Sequence, residues 1–419
     1  MKPIPAGFQQ TDPAAVGLSA DTVDELAAQL RNLVDKGKRA GIVSGILCHG
    51  KLVHFQAYGS RNLEQALPME SDTIFRLYSM TRAVTAVGLL TLCDEGRLKL
   101  DDPVADYLPE FADTPVIKEV RDGEVVTEPQ NSPMTIYHLM TYTAGLAYPE
   151  SYPKSLGITL DKVLRIGDTT EAAIQYLARQ PLLSQPGAHW YYGFSGDVLG
   201  RIAEVVSGQS YDRFLDERVF HPLSMMDTGF VVPTDQWDRL AEVYAPDDDG
   251  ELINATDRVP QANSYHEGEA LHSGGGGLAG TVGDYLRFCQ MLLNGGELDG
   301  VRVIEADTAA MMTRNHLRDD QGPLMWYAKG RGTPGDPWTA SDGYGWGLGI
   351  GVRLETDNHV MPGSAGEYRW DGLANTIYFI DPMHDIVVVA MSQYLSMNQR
   401  ELEQTIRNTI YGCMICSET

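Results

Sequence analysis

Positive charge is scarce in this chain. Its 419 residues carry 32 lysines and arginines against 57 aspartates and glutamates, a formal net charge of -25. Nucleic acid and anionic membrane surfaces repel such a chain, so neither is expected as a partner. Long apolar runs are also missing, and no stretch approaches the roughly 20 residues of a membrane-spanning helix. Residues Met1 to Ser19 include Lys2 but no hydrophobic centre, which argues against a secretory leader and makes the cytoplasm the expected compartment. There are only five cysteines, Cys48, Cys93, Cys289, Cys413 and Cys416. An odd number implies free thiols rather than a disulfide framework. Cys413-x-x-Cys416 is a lone pair, and His189, His266 and His272 are scattered without ligand spacing, so neither a metal nor another cofactor is expected. What the chain has in quantity is core-forming residues, with 43% apolar.

The organisation reads from both ends inward. Ser19 is a plausible N-cap for a helix with Val23, Leu26, Ala27, Leu30 and Leu33 on one face, stopping at Gly37. Two strands, Ile42 to Cys48 and Leu52 to Tyr58, join at His49-Gly50 as a hairpin. A buried helix follows from Ser79 to near Gly96. The stretch from about 105 to 260 reads mainly as helices and loops, with helices over Thr135–Thr141, Asp197–Val206 and Tyr211–Val219. The run Gly274 to Gly277 reads as a tight turn with close backbone packing, because no Gly-Lys-Ser/Thr follows it. Strands return at Trp346–Arg353, Thr376–Ile380 and Ile386–Met391, with Asp381-Pro382-Met383-His384 as a turn, and a last helix covers about Asn398 to Tyr411. This pattern predicts an α/β (α+β) fold whose antiparallel sheet is built from both chain ends and flanked by helices. Residues 1–104 and 261–419 would form that domain, and 105–260 a mainly helical insertion.

Three segments carry the candidate chemistry. In Tyr78-Ser79-Met80-Thr81-Arg82, the serine stands at a helix N-terminus, where free N–H groups and the dipole favour developing negative charge. Arg82, three residues on, lies on the same face. The second segment is Pro186-Gly187-Ala188-His189-Trp190-Tyr191-Tyr192-Gly193-Phe194, leading into Asp197-Val198-Leu199-Gly200-Arg201. The third is Tyr368-Arg369-Trp370-Asp371-Gly372-Leu373, leading into a strand. In this order they resemble the three motifs of the serine β-lactamase and penicillin-binding-protein superfamily. The likeness is nearest to the class C β-lactamase-like carboxylesterases (family VIII esterases), and it covers about residues 15 to 412. Thr135 to Leu146, with Tyr142 and Ala144 where the family carries histidine and serine, and Gly274 to Asp284 resemble two further family segments and are expected to be structural.

The resemblance implies a β-lactamase-like fold, Ser79 as nucleophile and Tyr192 as the catalytic tyrosine. It implies the backbone N–H groups of Ser79 and Leu373 as the oxyanion hole. The chain departs from the family at Arg82, which replaces the lysine of Ser-x-x-Lys. Arginine stays protonated and cannot be a general base. As a fixed cation it would lower the phenol pKa of Tyr192 and so make that residue the base. Trp370 stands where β-lactamases place the cation of Lys-Thr-Gly, so the anchor for a substrate carboxylate is absent and neutral, apolar esters fit better. Asp371 and Gly372 lie at the same rim. Tyr78, Trp190, Tyr191, Phe194, Tyr368 and Trp370 form the expected aromatic surround of the acyl group. The function implied is an esterase-like serine hydrolase working on a small-molecule ester through an acyl-enzyme on Ser79. The alternative is a lapsed or altered member of the same fold that binds, transacylates or rearranges a small molecule without hydrolysis. Trp338, in the Gly332 to Gly343 loop, is a candidate lid. Neither the natural substrate nor the oligomeric state has a signature in the sequence.

Overall fold

The computed structural model describes residues 7–164, 169–258, 265–266, 271–321, 343–355, 361–395 and 400–417. The Trp338 loop and the side chains of Cys413 and Cys416 lie outside this set.

The amphipathic N-terminal helix α1 (Ala20–Asp35) buries Leu26, Leu30 and Leu33. It lies against a sheet opened by strands β1 (Gly41–Cys48) and β2 (Lys51–Asn62), with the short β3 (Leu67–Pro68) beyond. His49 and Gly50 both have positive φ, the conformation that a two-residue hairpin turn demands. Helix α2 (Thr81–Asp94) follows. Thr81 through Leu92 are all buried, so this helix is enclosed on every side and belongs inside the molecule. Its neighbours come close: a Cβ on Gly88 would sit 2.7 Å from a Leu215 methyl.

The middle of the chain contributes α3 (Ile136–Met140) and α4 (Ser195–Ser207) to the site. It also holds two hairpins, Val116–Arg121 with Glu124–Glu128 and Tyr244–Pro246 with Leu252–Asn254. The first escapes a search for apolar runs because its strands are charged and half-exposed. Its turn, Asp122-Gly123, has the positive φ at both positions that this dipeptide favours. The helix expected over Tyr211–Val219 is α-helical only to Leu215 and then widens into a π-turn over Asp216–Phe220.

Helix α5 (Val282–Leu293) leads back to the sheet. The single strand expected over Trp346–Arg353 is two, β4 (Tyr344–Trp346) and β5 (Gly351–Arg353), folded on each other with Tyr344 opposite Arg353. The reason is the turn between them: Gly349 has a φ of 81° and its Cα faces the Ala86 methyl of α2. Strands β6 (Tyr368–Gly372), β7 (Thr376–Asp381) and β8 (Ile386–Met391) complete the sheet, and α6 (Arg400–Ser417) closes the chain. The eight strands run in the order β4-β5-β6-β7-β8-β1-β2-β3, each antiparallel to its neighbours. Segments distant in the chain therefore meet where β8 pairs with β1, as the reading from both ends predicted. Two apolar layers flank the sheet. A smaller one is made with α1 and α6, and a larger one holds α2 and α5. No helix among the described residues is long and apolar enough to cross a membrane.

Candidate active site

Ser79 lies in a 3-10 turn, Tyr78–Met80, that runs straight into α2. Tyr78 before it has a φ of 46°, a conformation unfavourable for an aromatic residue and one that persists only where surroundings impose it. The surroundings are visible. Leu77 N–H is bonded to Leu278, and the carbonyl of Leu77 faces the end of β6. Any Cβ on Gly372 would fall 2.4 Å from that carbonyl, so glycine is needed for Leu373 to run alongside the Ser79 turn. The glycine run beyond residue 273 is likewise a close-packing device: a Cβ on Gly274 would lie 2.2 Å from the carbonyl of Gly196. Thr85 of α2 donates to the Gly274 carbonyl at 2.7 Å.

Arg82 projects from the first turn of α2 into the interior and is 1% exposed. Its Nε–H donates to the Tyr192 phenol oxygen at 2.7 Å. One terminal nitrogen donates to the Tyr142 hydroxyl at 2.6 Å and to the Gly193 carbonyl at 2.8 Å. The other donates to the Tyr148 hydroxyl. The guanidinium also lies over the Tyr192 ring, 4.2 Å from its centre. Among the described residues Arg82 has no carboxylate hydrogen-bond partner. Asp197, at the start of α4, acts on it through space and is itself bonded to Ser273 and Gly275.

The Tyr192 phenol oxygen receives a second donor, the indole N–H of Trp370, at 2.9 Å. The Ser79 hydroxyl is its third partner. Burial pushes the phenol pKa up, and the nearby Arg82 charge and the bonds from Ser79 and Trp370 pull it down without overcoming that push. The net direction is upward, opposite to the lowering expected from Arg82 alone: in this dry setting loss of solvent outweighs one cation. Asp371 adds to the rise, and its own carboxyl is pushed up by burial to about 7.

The three motifs thus meet at one point, with Ser79, Arg82, Tyr192 and Trp370 linked through the Tyr192 oxygen. The aromatic surround is a buried wall rather than an exposed rim. Trp370 stands edge-on to Trp346 at 4.5 Å, and Trp190 stacks on Tyr192 at 6.0 Å. Tyr191 and Phe194 are buried as well, Phe194 against the Tyr148 ring at 4.9 Å. Tyr78 is buried in a small cluster with Val243 and Ala374. Tyr368 is buried in the apolar layer that holds α5, where burial and the Cys289 thiol push its phenol pKa up. Of the described residues around the reactive point, Ser79, Tyr148 and Asp371 are partly exposed and Leu373 is exposed.

Two side chains at this centre were not expected in it, Tyr142, which was read as structural, and Tyr148. The signal for Tyr142 was present, since on the resemblance it stands where the family carries histidine, as Arg82 stands where it carries lysine. Tyr148 lies outside the motifs. His272, beside the glycine run, turns toward Asp212 at 3.5 Å and stacks on Phe230. No cluster of metal-ligating side chains occurs among the described residues.

Comparison with known proteins agrees with this architecture. Esterase EstB of Burkholderia gladioli is 32% identical over 431 residues, covering 96% of this chain and 98% of the relative. Protein Rv1367c of Mycobacterium tuberculosis is 31% identical over 373 residues, covering 89% and 90%. Among solved structures, EstCE1, a hydrolase with promiscuous acyltransferase activity, superposes with a TM-score of 0.75 at 27% identity, covering 94% of this chain and 99% of that one. The profile of the Beta-lactamase family matches residues 26–410, nearly the whole sheet-and-helix unit described above, and the chain belongs to that family.

Proposed function

We infer that the protein is a serine hydrolase that cleaves small neutral esters through an acyl-enzyme on Ser79, with Tyr192 as the proton carrier. One observation carries this reading: the donor arrangement at the Tyr192 oxygen. Arg82 Nε–H and Trp370 Nε1–H only donate, so together they occupy two acceptor positions of that oxygen. A single proton then remains to be shared along the Ser79–Tyr192 hydrogen bond. Either the phenol donates to Ser79, or, once the phenol has released its proton to solvent, Ser79 donates to the phenolate. Moving through the second arrangement, Ser79 Oγ bonds to the ester carbonyl carbon as its proton passes to Tyr192. Collapse of the tetrahedral species breaks the carbon–oxygen bond to the alcohol, which leaves with the proton from Tyr192. Water then attacks the acyl-Ser79 ester, gives a proton to Tyr192, and the acid departs as Ser79 regains its hydrogen. An alcohol in place of that water yields acyl transfer on the same path. The esterase and the hydrolase with promiscuous acyltransferase activity among the relatives support this chemistry. The N–H groups of Ser79 and Leu373, brought alongside by Gly372, are the proposed oxyanion donors.

The test is hydrolysis of p-nitrophenyl acetate and butyrate by the wild type, Ser79→Ala and Tyr192→Phe. Both substitutions are expected to lower kcat/KM by at least ~10^3-fold, the scale of losing a nucleophile or its base. Because the phenol pKa is raised, wild-type kcat/KM should climb with pH into the alkaline range as the phenolate grows. An inert wild type that gains activity as Arg82→Lys would instead establish the lapsed-enzyme alternative.

A further inference from the structure

Two departures from the family pattern touch each other. Arg82 replaces a lysine and Tyr142 a histidine, and the two side chains, 60 residues apart in sequence, are joined by a 2.6 Å hydrogen bond. We propose that Tyr142 and Tyr148 are positioning residues that hold the Arg82 guanidinium with its Nε–H on the Tyr192 oxygen, making arginine obligatory at position 82. The proposal rests on the reading of Tyr192 as proton carrier and adds how its cation is set.

The donor geometry supports it. A guanidinium is a rigid fork with five N–H donors, and four are accounted for here: Nε–H on Tyr192, two on Tyr142 and Gly193, and one on Tyr148. Fixing both terminal nitrogens fixes the direction of the single Nε–H. A lysine ammonium, a compact point with three donors, cannot span these four oxygens. The backbone carries the three phenols as one body. Tyr191 N–H donates to the Tyr142 carbonyl at 2.8 Å, and Tyr148 N–H to the Tyr192 carbonyl at 3.2 Å. The Tyr142 ring stacks on the Tyr192 ring with centres 6.0 Å apart, and the Tyr148 ring meets it edge-on at 5.6 Å. Tyr142 also has a φ of 59°, a costly conformation for an aromatic residue and one found where a side chain is aimed for a purpose. It is seated between Trp190 and Trp346.

The experiment compares wild type, Tyr142→Phe, Tyr148→Phe, Tyr148→Gln, Arg82→Lys and the double variant Arg82→Lys/Tyr142→His. Their kcat/KM for p-nitrophenyl butyrate is followed across pH, beside circular dichroism and thermal melts. Loss of either phenol lets the guanidinium drift, so the Tyr192 phenolate is less favoured. The rising limb of the pH profile should move to higher pH by about one unit, with kcat/KM down roughly tenfold at neutral pH and KM little changed. Tyr148→Gln, which keeps an acceptor for the guanidinium, should recover part of the loss. Arg82→Lys should fall further, by roughly 100-fold, and adding Tyr142→His should restore at least tenfold of that. Folded phenylalanine variants with an unmoved pH limb, or Arg82→Lys at wild-type activity, would overturn the proposal. If a phenylalanine variant does not fold, Tyr148→Gln and the Arg82→Lys pair decide it alone. An active Tyr192→Phe would sink the proton-carrier reading instead, whatever the other variants do.

Discussion

Arg82 and Arg407 are both almost wholly buried, each on a helix, and they are neutralised in opposite ways. Arg407 of α6 is 0% exposed and makes a two-pronged bond to Glu367 at 2.6 and 2.7 Å. Its Nε–H reaches Glu403 at 2.7 Å, and Glu403 in turn accepts from Arg369 of β6. Arg82 has hydroxyls and a carbonyl where Arg407 has carboxylates. Charge burial is expensive unless a counter-charge is supplied. At α6 the sequence provides that counter-charge permanently, and the result is a brace between helix and strand. At α2 the compensating charge is largely missing, and the groups beside the cation that can supply it are phenols. A Tyr192 phenolate would complete the pair. On the proposed mechanism, the difference separates an arginine that holds the fold from one poised for a proton transfer.

Replacing each arginine by methionine should split these roles cleanly. Arg407→Met leaves Glu367 and Glu403 buried beside too little positive charge, and the expected loss is about 3–5 kcal/mol of unfolding free energy by urea denaturation. Esterase activity of the folded fraction should persist. Arg82→Met removes a poorly compensated charge, so stability should change by no more than about 1 kcal/mol, while kcat/KM falls by roughly 10^2–10^3. Equal loss of stability in the two variants would erase the distinction drawn above.

The same contrast explains what was legible in the sequence. The brace and the site both use residues far apart along the chain, but only the site follows a pattern with known spacing. Ser79, Arg82, Tyr192 and Trp370 could therefore be named from their motifs, and the structure joins all four. The sheet was legible from its apolar strands and turn residues, whereas the charged hairpin at Val116–Glu128 was not. Tyr148 stayed hidden and Tyr142 was read as structural, because hydroxyl-to-guanidinium contacts leave no periodic trace and span 60 and 66 residues. The strand alternation that turns Arg369 and Asp371 away from the Trp370 face is visible in the sequence. That Tyr368, on the Trp370 face, ends in the apolar layer with Cys289 depends on where α5 packs.

Trp370 sharpens the comparison from the neutral side. Its indole N–H favours a phenolate at Tyr192 without bringing any charge. Trp370→Phe keeps most of the ring packing on Trp346 and removes only that donor. The expected result is roughly a tenfold loss of kcat/KM, smaller than for Arg82→Met because one neutral hydrogen bond contributes about 0.5–1.5 kcal/mol. The rising pH limb should again shift upward. A loss as large as that of Arg82→Met would mean that the indole, and not the cation, sets the phenol.

Asp371 gives the smallest and most diagnostic effect, because its charge opposes that of Arg82. It follows Trp370 on β6, 3.4 Å from Arg369, and burial lifts its carboxyl to about 7. Ionised, it disfavours the Tyr192 phenolate, so it acts only above about pH 7. Asp371→Asn should match the wild type near pH 6, where the carboxyl is protonated, and exceed it by about twofold at pH 8 to 9, a fraction of a pKa unit at Tyr192. The stability sign runs the same way. A carboxyl whose folded pKa is raised favours folding below its unfolded value near 4, and that contribution is lost as pH rises toward 7. The asparagine variant loses nothing over this window, so its melting temperature relative to wild type should rise from pH 4 to pH 7 and then level off. A rate gain already present at pH 6 would show that asparagine acts through packing rather than through the missing charge.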